Sequence, residues 1–196
     1  MESLDEYLER LASSEAVPGG GSAAALVGAM AASLAAMVGR KLANVRPTER
    51  IVVRADELRA QLVSARLRDE EAYGAYVAAR KLPKEDDDQI DARKRALEAA
   101  LNGAAEAPLH SAGLAVEVLE LTEELADGKM GALASDVGCA AEFAQAAVVA
   151  CGYNVRINHR YMHDEAALLK QAARLVAYEG KASVFLARVR GAVAKG

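Results

Sequence analysis

Apolar residues return every three or four positions along most of this chain, the spacing of helices that bury one face. Leu4, Tyr7, Leu8 and Leu11 follow a capping box, Ser3-Leu4-Asp5-Glu6, and predict a first helix ending near Ala12. Ser22 reads as the cap of a second helix reaching about Val45. Pro47 and Thr48 open a third, which Pro83 stops near Leu82. The acidic run Glu85-Asp86-Asp87-Asp88 reads as a solvated turn. A fourth stretch covers about Asp88 to Ala126, with a kink expected at Pro108. Proline there removes one amide and leaves the carbonyl of Ala104 without its usual partner. Gly128 to Ala134 reads as a loop, Ser135-Asp136 opens a fifth helix to about Tyr153, and a last helix runs from about His163 to Val193. No strand pattern, internal repeat or linker interrupts the series. The prediction is all-α: one domain over residues 1–196, an array of about six long, mostly antiparallel helices.

The stretch "PGGGSAAALVGAMAAS" (18–33) departs from this regular picture. Three glycines follow a proline, and then the chain turns to alanine. Hydrophobic residues make up 53% of the chain but aromatics only 4%, so the core is built by close approach of helices rather than by bulk. Gly28, Ala32, Ala35, Ala36 and Gly39 form one small-residue face on the second helix. It can seat neighbouring helices of the same chain, or a helix of a second copy. The low aromatic content leaves little bulk for a self-sufficient core, and a homodimer is expected.

From Ala16 to Gly39 no residue is charged, but the glycines and alanines gain little in lipid, and no membrane partner is expected. No basic segment and apolar run precede the first helix. A net charge of -4 gives no global attraction to nucleic acid, and none is expected as a partner. Cys139 and Cys151 fall on one helix about 18 Å apart, too far to bridge, which fits a reduced, cytoplasmic protein.

Candidate chemistry sits in four places. Ile51, Ala55, Leu58, Leu62, Ala65, Asp69, Ala72 and Tyr76 share one face of the third helix, and only Asp69 is acidic. A carboxylate on a buried seam is costly unless it is paired or used. Ser135-Asp136 is either a cap with a first-turn acid or part of a site. Asn154 and Asn158, one turn apart just beyond the fifth helix, can serve a ligand or cap a turn. The glycines place free amides before a helix, which suits an anion, or they form a close-packing turn. His159 and His163 are four apart, but no zinc motif surrounds them and a solvent-facing pair is expected.

Together the stretches "PGGGSAAALVGAMAASLAAMVGRK", "DEEAYGAYVAARKLPK", "APLHSAGLAVEVLEL", "SDVGCAA" and "NVRIN" resemble the cyclodeaminase family, the C-terminal domain of formiminotransferase-cyclodeaminase and its stand-alone relatives. They span nearly the whole chain. The resemblance implies an all-helical homodimer that acts on a tetrahydrofolate one-carbon unit, with no metal and no cofactor beyond the folate itself. The implied reaction closes 5-formiminotetrahydrofolate to the 5,10-methenyl form with release of ammonia. Methenyltetrahydrofolate cyclohydrolysis is the near alternative, and a non-catalytic folate-binding or helical dimerisation module the distant one. The resemblance assigns Asp69 and Asp136 as catalytic acids. Gly19, Gly20, Gly21, Ser22, Tyr73, Lys84, Ser135, Asn154 and Asn158 are its substrate-binding set. The loop "DGKMGALASD" departs from the family in carrying no asparagine before the Ser-Asp pair.

Overall fold

The uncharged run becomes the helix on which most of the others pack. A computed structural model describes residues 2–195, and these form six α-helices and no strand: α1 Leu4–Leu11, α2 Gly20–Leu42, α3 Glu49–Arg80, α4 Asp87–Ala126, α5 Ala134–His159 and α6 Glu165–Val193. A short 3-10 turn, Gly131–Leu133, leads into α5. The fold is all-α, as the periodicity predicts.

Gly28, Ala32, Ala35, Ala36 and Gly39 are all buried inside the chain. A Cβ at Gly28 would stand 3.2 Å from Leu62 of α3 and 3.5 Å from Ala147 of α5, and one at Gly39 would stand 2.8 Å from Val52. The small face therefore seats α3 and α5 of the same chain, and it is not a surface open to a second copy. On α3 the apolar seam is buried from Ile51 to Ala65. Leu58 and Leu62 are fully enclosed, which is worth about 1.5–3 kcal/mol for each. Past Ala65 the seam leaves the core, and Asp69, Ala72 and Tyr76 are half-buried.

Several helix ends differ from expectation, each for a local reason. Ser22 lies inside α2, whose cap is Gly19 in extended conformation (φ -121°, ψ -164°). The Ser22 hydroxyl is spent on tertiary partners instead. Ser135 lies inside α5, whose cap is Leu133, and its hydroxyl donates back to the Ala132 carbonyl at 3.3 Å. Asn154 and Asn158 lie within α5, which runs past Tyr153 to His159. Asp86 in the acidic run caps α4, accepting from the Gln89 amide at 2.8 Å. Helix α4 passes through Pro108 without interruption. The Ala104 carbonyl that Pro108 cannot serve accepts instead from Asn158 Nδ2 at 3.0 Å.

Both cysteines are free and lie on α5, Cys139 exposed and Cys151 buried. Two segments are long and apolar enough to cross a membrane by length and composition, α2 and Gly131–His159. The fold buries 61% of the most apolar window of α2, but only 33% of that of Gly131–His159.

Candidate active site

The N-terminus of α2 and the C-terminal halves of α3 and α5 converge on a cavity of about 300 Å³. Gly19, Gly20 and Gly21 form one wall, Asp69, Tyr73 and Tyr76 of α3 a second, and Asn154, Ile157 and Asn158 of α5 a third, with Tyr161 just beyond that helix. Leu101 and Ala104 of α4 supply an apolar floor.

Asp69 lies against the first turn of α2. A Cβ at Gly21 would lie 2.6 Å from its Cγ and 2.7 Å from its Oδ2, so only glycine admits the carboxyl here. Position 21 needs space, not an unusual backbone, because no glycine of the triplet has positive φ. Burial raises the Asp69 pKa above the ordinary carboxylate value of 3.8; the Ser22 amide, which donates to it, opposes the rise, and the charge of Glu70 adds to it. Beneath the cavity, burial pushes the Cys151 thiol up to about 12, with the Asp69 charge as the smaller cause.

A polar network behind the wall fixes α3 against α2. Tyr7 of α1, almost fully buried, shares a hydrogen bond of 3.1 Å with the Ser22 hydroxyl. Ser22 donates to Glu70 at 3.3 Å, and Arg10 pairs with Glu70 at 2.9 Å. Arg66 lies over the Tyr7 ring at 4.7 Å and pairs with Glu2 at 3.0 Å. With Glu70 held from α1, its neighbour Asp69 is directed to the cavity side.

On α5 each asparagine is anchored by its own nitrogen. Asn154 Nδ2 donates to the Ala150 carbonyl at 2.9 Å, and Asn158 Nδ2 donates to the carbonyls of Ala104 and Asn154. A Cβ at Gly20 would meet the Asn154 amide at 3.3–3.4 Å, so the glycine lets this side chain reach the head of α2.

The sequence model of the formiminotransferase-cyclodeaminase family matches residues 3–176. The chain belongs to that family. It is 33% identical to the methenyltetrahydrofolate cyclohydrolase of Methylorubrum extorquens over 84% of this chain and 83% of that protein. It is 32% identical to the formimidoyltransferase-cyclodeaminase of Rattus norvegicus over 97% of its own length, and spans 37% of that longer protein. The crystal structure of formiminotetrahydrofolate cyclodeaminase from Thermotoga maritima superimposes with a TM-score of 0.88 over 99% of this chain and 96% of that one, at 28% identity.

Not every family-motif residue of this cyclodeaminase-family chain reaches the cavity. Asp69, Gly19, Gly20, Gly21, Tyr73, Asn154 and Asn158 line it, and Ser22 lies directly behind. Lys84 is exposed in the turn after α3 and is not among the lining residues. Ser135 and Asp136 stand at the opposite end of α5, with Asp136 about 27 Å along the axis from Asn154 at 1.5 Å per residue. His159 bonds Gln171 at 2.9 Å, and the His163 amide donates to Glu98. Among the described residues no cluster of three or more His, Cys, Asp or Glu side chains is placed to hold a metal. Tyr76, Ile157 and Tyr161 line the cavity without having been singled out as ligands. Tyr76 shares the Asp69 face, while Ile157 and Tyr161 each follow a lining asparagine by three residues.

Proposed function

We propose that this protein is a folate one-carbon enzyme that closes 5-formiminotetrahydrofolate to 5,10-methenyltetrahydrofolate and releases ammonia. The observation that carries the reading is the Asp69 carboxyl, raised in pKa by burial and set in the wall of a cavity with three tyrosines. Ring closure requires one folate nitrogen to attack the formimino carbon held on the other. The attacking nitrogen gives up a proton, and the departing amine must gain one. Asp69 takes the first proton as carboxylate and returns it as acid, so one group serves both halves of the step. Its raised pKa shortens the gap between its two protonation states near neutral pH. Its negative charge, once restored, also stabilises the cationic methenyl bridge. Tyr73, Tyr76 and Tyr161 offer flat apolar faces to the ring systems of the substrate. The free amides at the head of α2 suit one of its anionic groups.

Cyclohydrolysis is the second reading, and the end-to-end match to a methenyltetrahydrofolate cyclohydrolase favours it. There Asp69 deprotonates the attacking water. The test is to incubate purified protein separately with the formimino and methenyl forms and follow the methenyl absorbance. Appearance from the first supports ring closure, and accelerated loss of the second supports hydrolysis. No change in either sinks both and leaves a binding module.

A further inference from the structure

Asn154 and Asn158 stand one turn apart on α5, and both line the cavity. Their side-chain nitrogens are largely committed within the chain. Asn158 Nδ2 gives its two hydrogens to the carbonyls of Ala104 and Asn154, at 3.0 and 2.9 Å. Asn154 Nδ2 gives one to the Ala150 carbonyl at 2.9 Å and keeps the other. Turning either amide over would set its oxygen against a carbonyl oxygen, so these partners fix both orientations. Among the described residues nothing donates to either Oδ1, and neither oxygen is sealed inside the chain. Pro108 decides the case of Asn158, because it leaves the Ala104 carbonyl open to the asparagine.

The two side chains therefore offer an acceptor at Asn158, then an acceptor and one donor at Asn154. No Lys, Arg or His stands among the residues lining the cavity. A flat ligand edge fits this wall when it carries donor, donor and acceptor in turn. The edge of a 2-amino-4-oxopyrimidine does so, with its 2-amino group, N3–H and O4. A carboxamide matches the N3–H and O4 of such a ring with its own oxygen and N–H. Neighbouring glycines relate this wall to the acid. A Cβ at Gly20 would meet the Asn154 amide, and one at Gly21 would meet the Asp69 carboxyl. Asn154 and Asp69 thus flank a single turn of α2. A pteridine whose pyrimidine ring rests on the asparagines has its second ring, with N5, free to extend toward Asp69.

We propose that Asn154 and Asn158 determine specificity by holding the pyrimidine edge of a pterin. Asn158 Oδ1 accepts from the 2-amino group, Asn154 Oδ1 accepts from N3–H, and the remaining Asn154 N–H donates to O4. The pterin as ligand rests on the folate reading above, whereas the order of acceptors and donor rests on the hydrogen bonds of α5. A proline in α4 thereby sets which atom of an α5 side chain is left for the ligand.

The test varies ligand and protein together, by titration calorimetry. The parent ligand is 5-formyltetrahydrofolate. Its 2-oxo counterpart sets an acceptor before Asn158, and its 3-methyl counterpart removes the N3 proton before Asn154. The wild type should bind each counterpart about tenfold or more weakly than the parent, because each leaves a polar group unpaired. Asn158→Ala is made together with Pro108→Ala, so that the Ala104 carbonyl keeps a donor. It should lose the preference against the 2-oxo form and keep the one against the 3-methyl form. Asn154→Ala should do the reverse. Side chains that only brace the helices would weaken all three ligands by one factor and leave both preferences intact, and that result overturns the proposal. So does a wild type that binds the three alike or binds none of them. Where a variant fails to fold, the wild-type comparison still decides. A wild type with both preferences that converts neither the formimino nor the methenyl form fails the functional reading alone. One that converts either form without these preferences fails the proposal alone.

Discussion

Asp69 occupies the volume that a side chain at Gly21 would need. A Cβ there would lie 2.6 Å from Cγ of the carboxyl group. The pair ties the glycine run to the acid on α3. Gly21→Ala should swing the carboxyl off the head of α2 and cost about 1–3 kcal/mol of stability through overpacking. Turnover should fall with it. In the Asp69→Asn background the same change should cost turnover nothing further, because both act on one group. Additive losses in turnover would refute the coupling.

Gly20→Val tests the neighbouring position differently. Gly20 is exposed at the first turn of α2, and the atoms nearest to a Cβ there belong to the amide of Asn154. Folding should hold, as circular dichroism can check. The dissociation constant of a stable folate analogue should rise about tenfold or more, roughly 1.4 kcal/mol. An unchanged constant in a folded variant would make the glycines a packing turn and nothing else.

Asp69→Asn should lower turnover by about a hundredfold or more while the fold survives, since asparagine accepts the Ser22 amide but carries no proton. The pH dependence of stability gives a second readout. The folded pKa of Asp69 is raised above 3.8, so the folded state binds this proton more tightly than the unfolded chain does. Ionising Asp69 therefore works against folding. The penalty is absent below 3.8 and complete above the raised value. The melting temperature of the variant should gain on wild type as pH rises through that window. A gap that stays constant with pH would contradict the raised pKa.

Asn158 supports α4 at its proline. Asn158→Ala leaves the Ala104 carbonyl without a donor and should cost about 1–3 kcal/mol. Pro108→Ala returns an amide to that carbonyl from within α4. In a double-mutant cycle it should recover part of the Asn158→Ala loss. Independent, additive effects by thermal or denaturant unfolding would refute the exchange of donors.

The periodic apolar positions made the helices legible, and the lone acid on an apolar seam made Asp69 legible. Less legible was anything decided between helices. Ser22 and Ser135 have the chemistry of caps, but Ser22 found Tyr7 and Glu70 across the fold. Asn154 and Asn158 carry turn propensity, yet contacts to α2 and α4 keep them helical. That continuation of α5 also brings Ile157 and Tyr161 to the cavity, which a helix ending at Tyr153 conceals. The fit of Asp69 to Gly21 joins positions 48 apart in sequence, and no local pattern encodes it.

The central place of α2 has a cost during synthesis. The helix is made early, while α5, against which Gly28 and Ala24 pack, is completed only at His159. At about 5–20 residues per second the interval is on the order of ten seconds. Through that time α2, uncharged from Gly20 to Gly39, can pack on α3 but has no α5 to cover its other side. The ribosome-bound intermediate is thus the form of this protein most exposed to aggregation, and the form on which a chaperone has most to act.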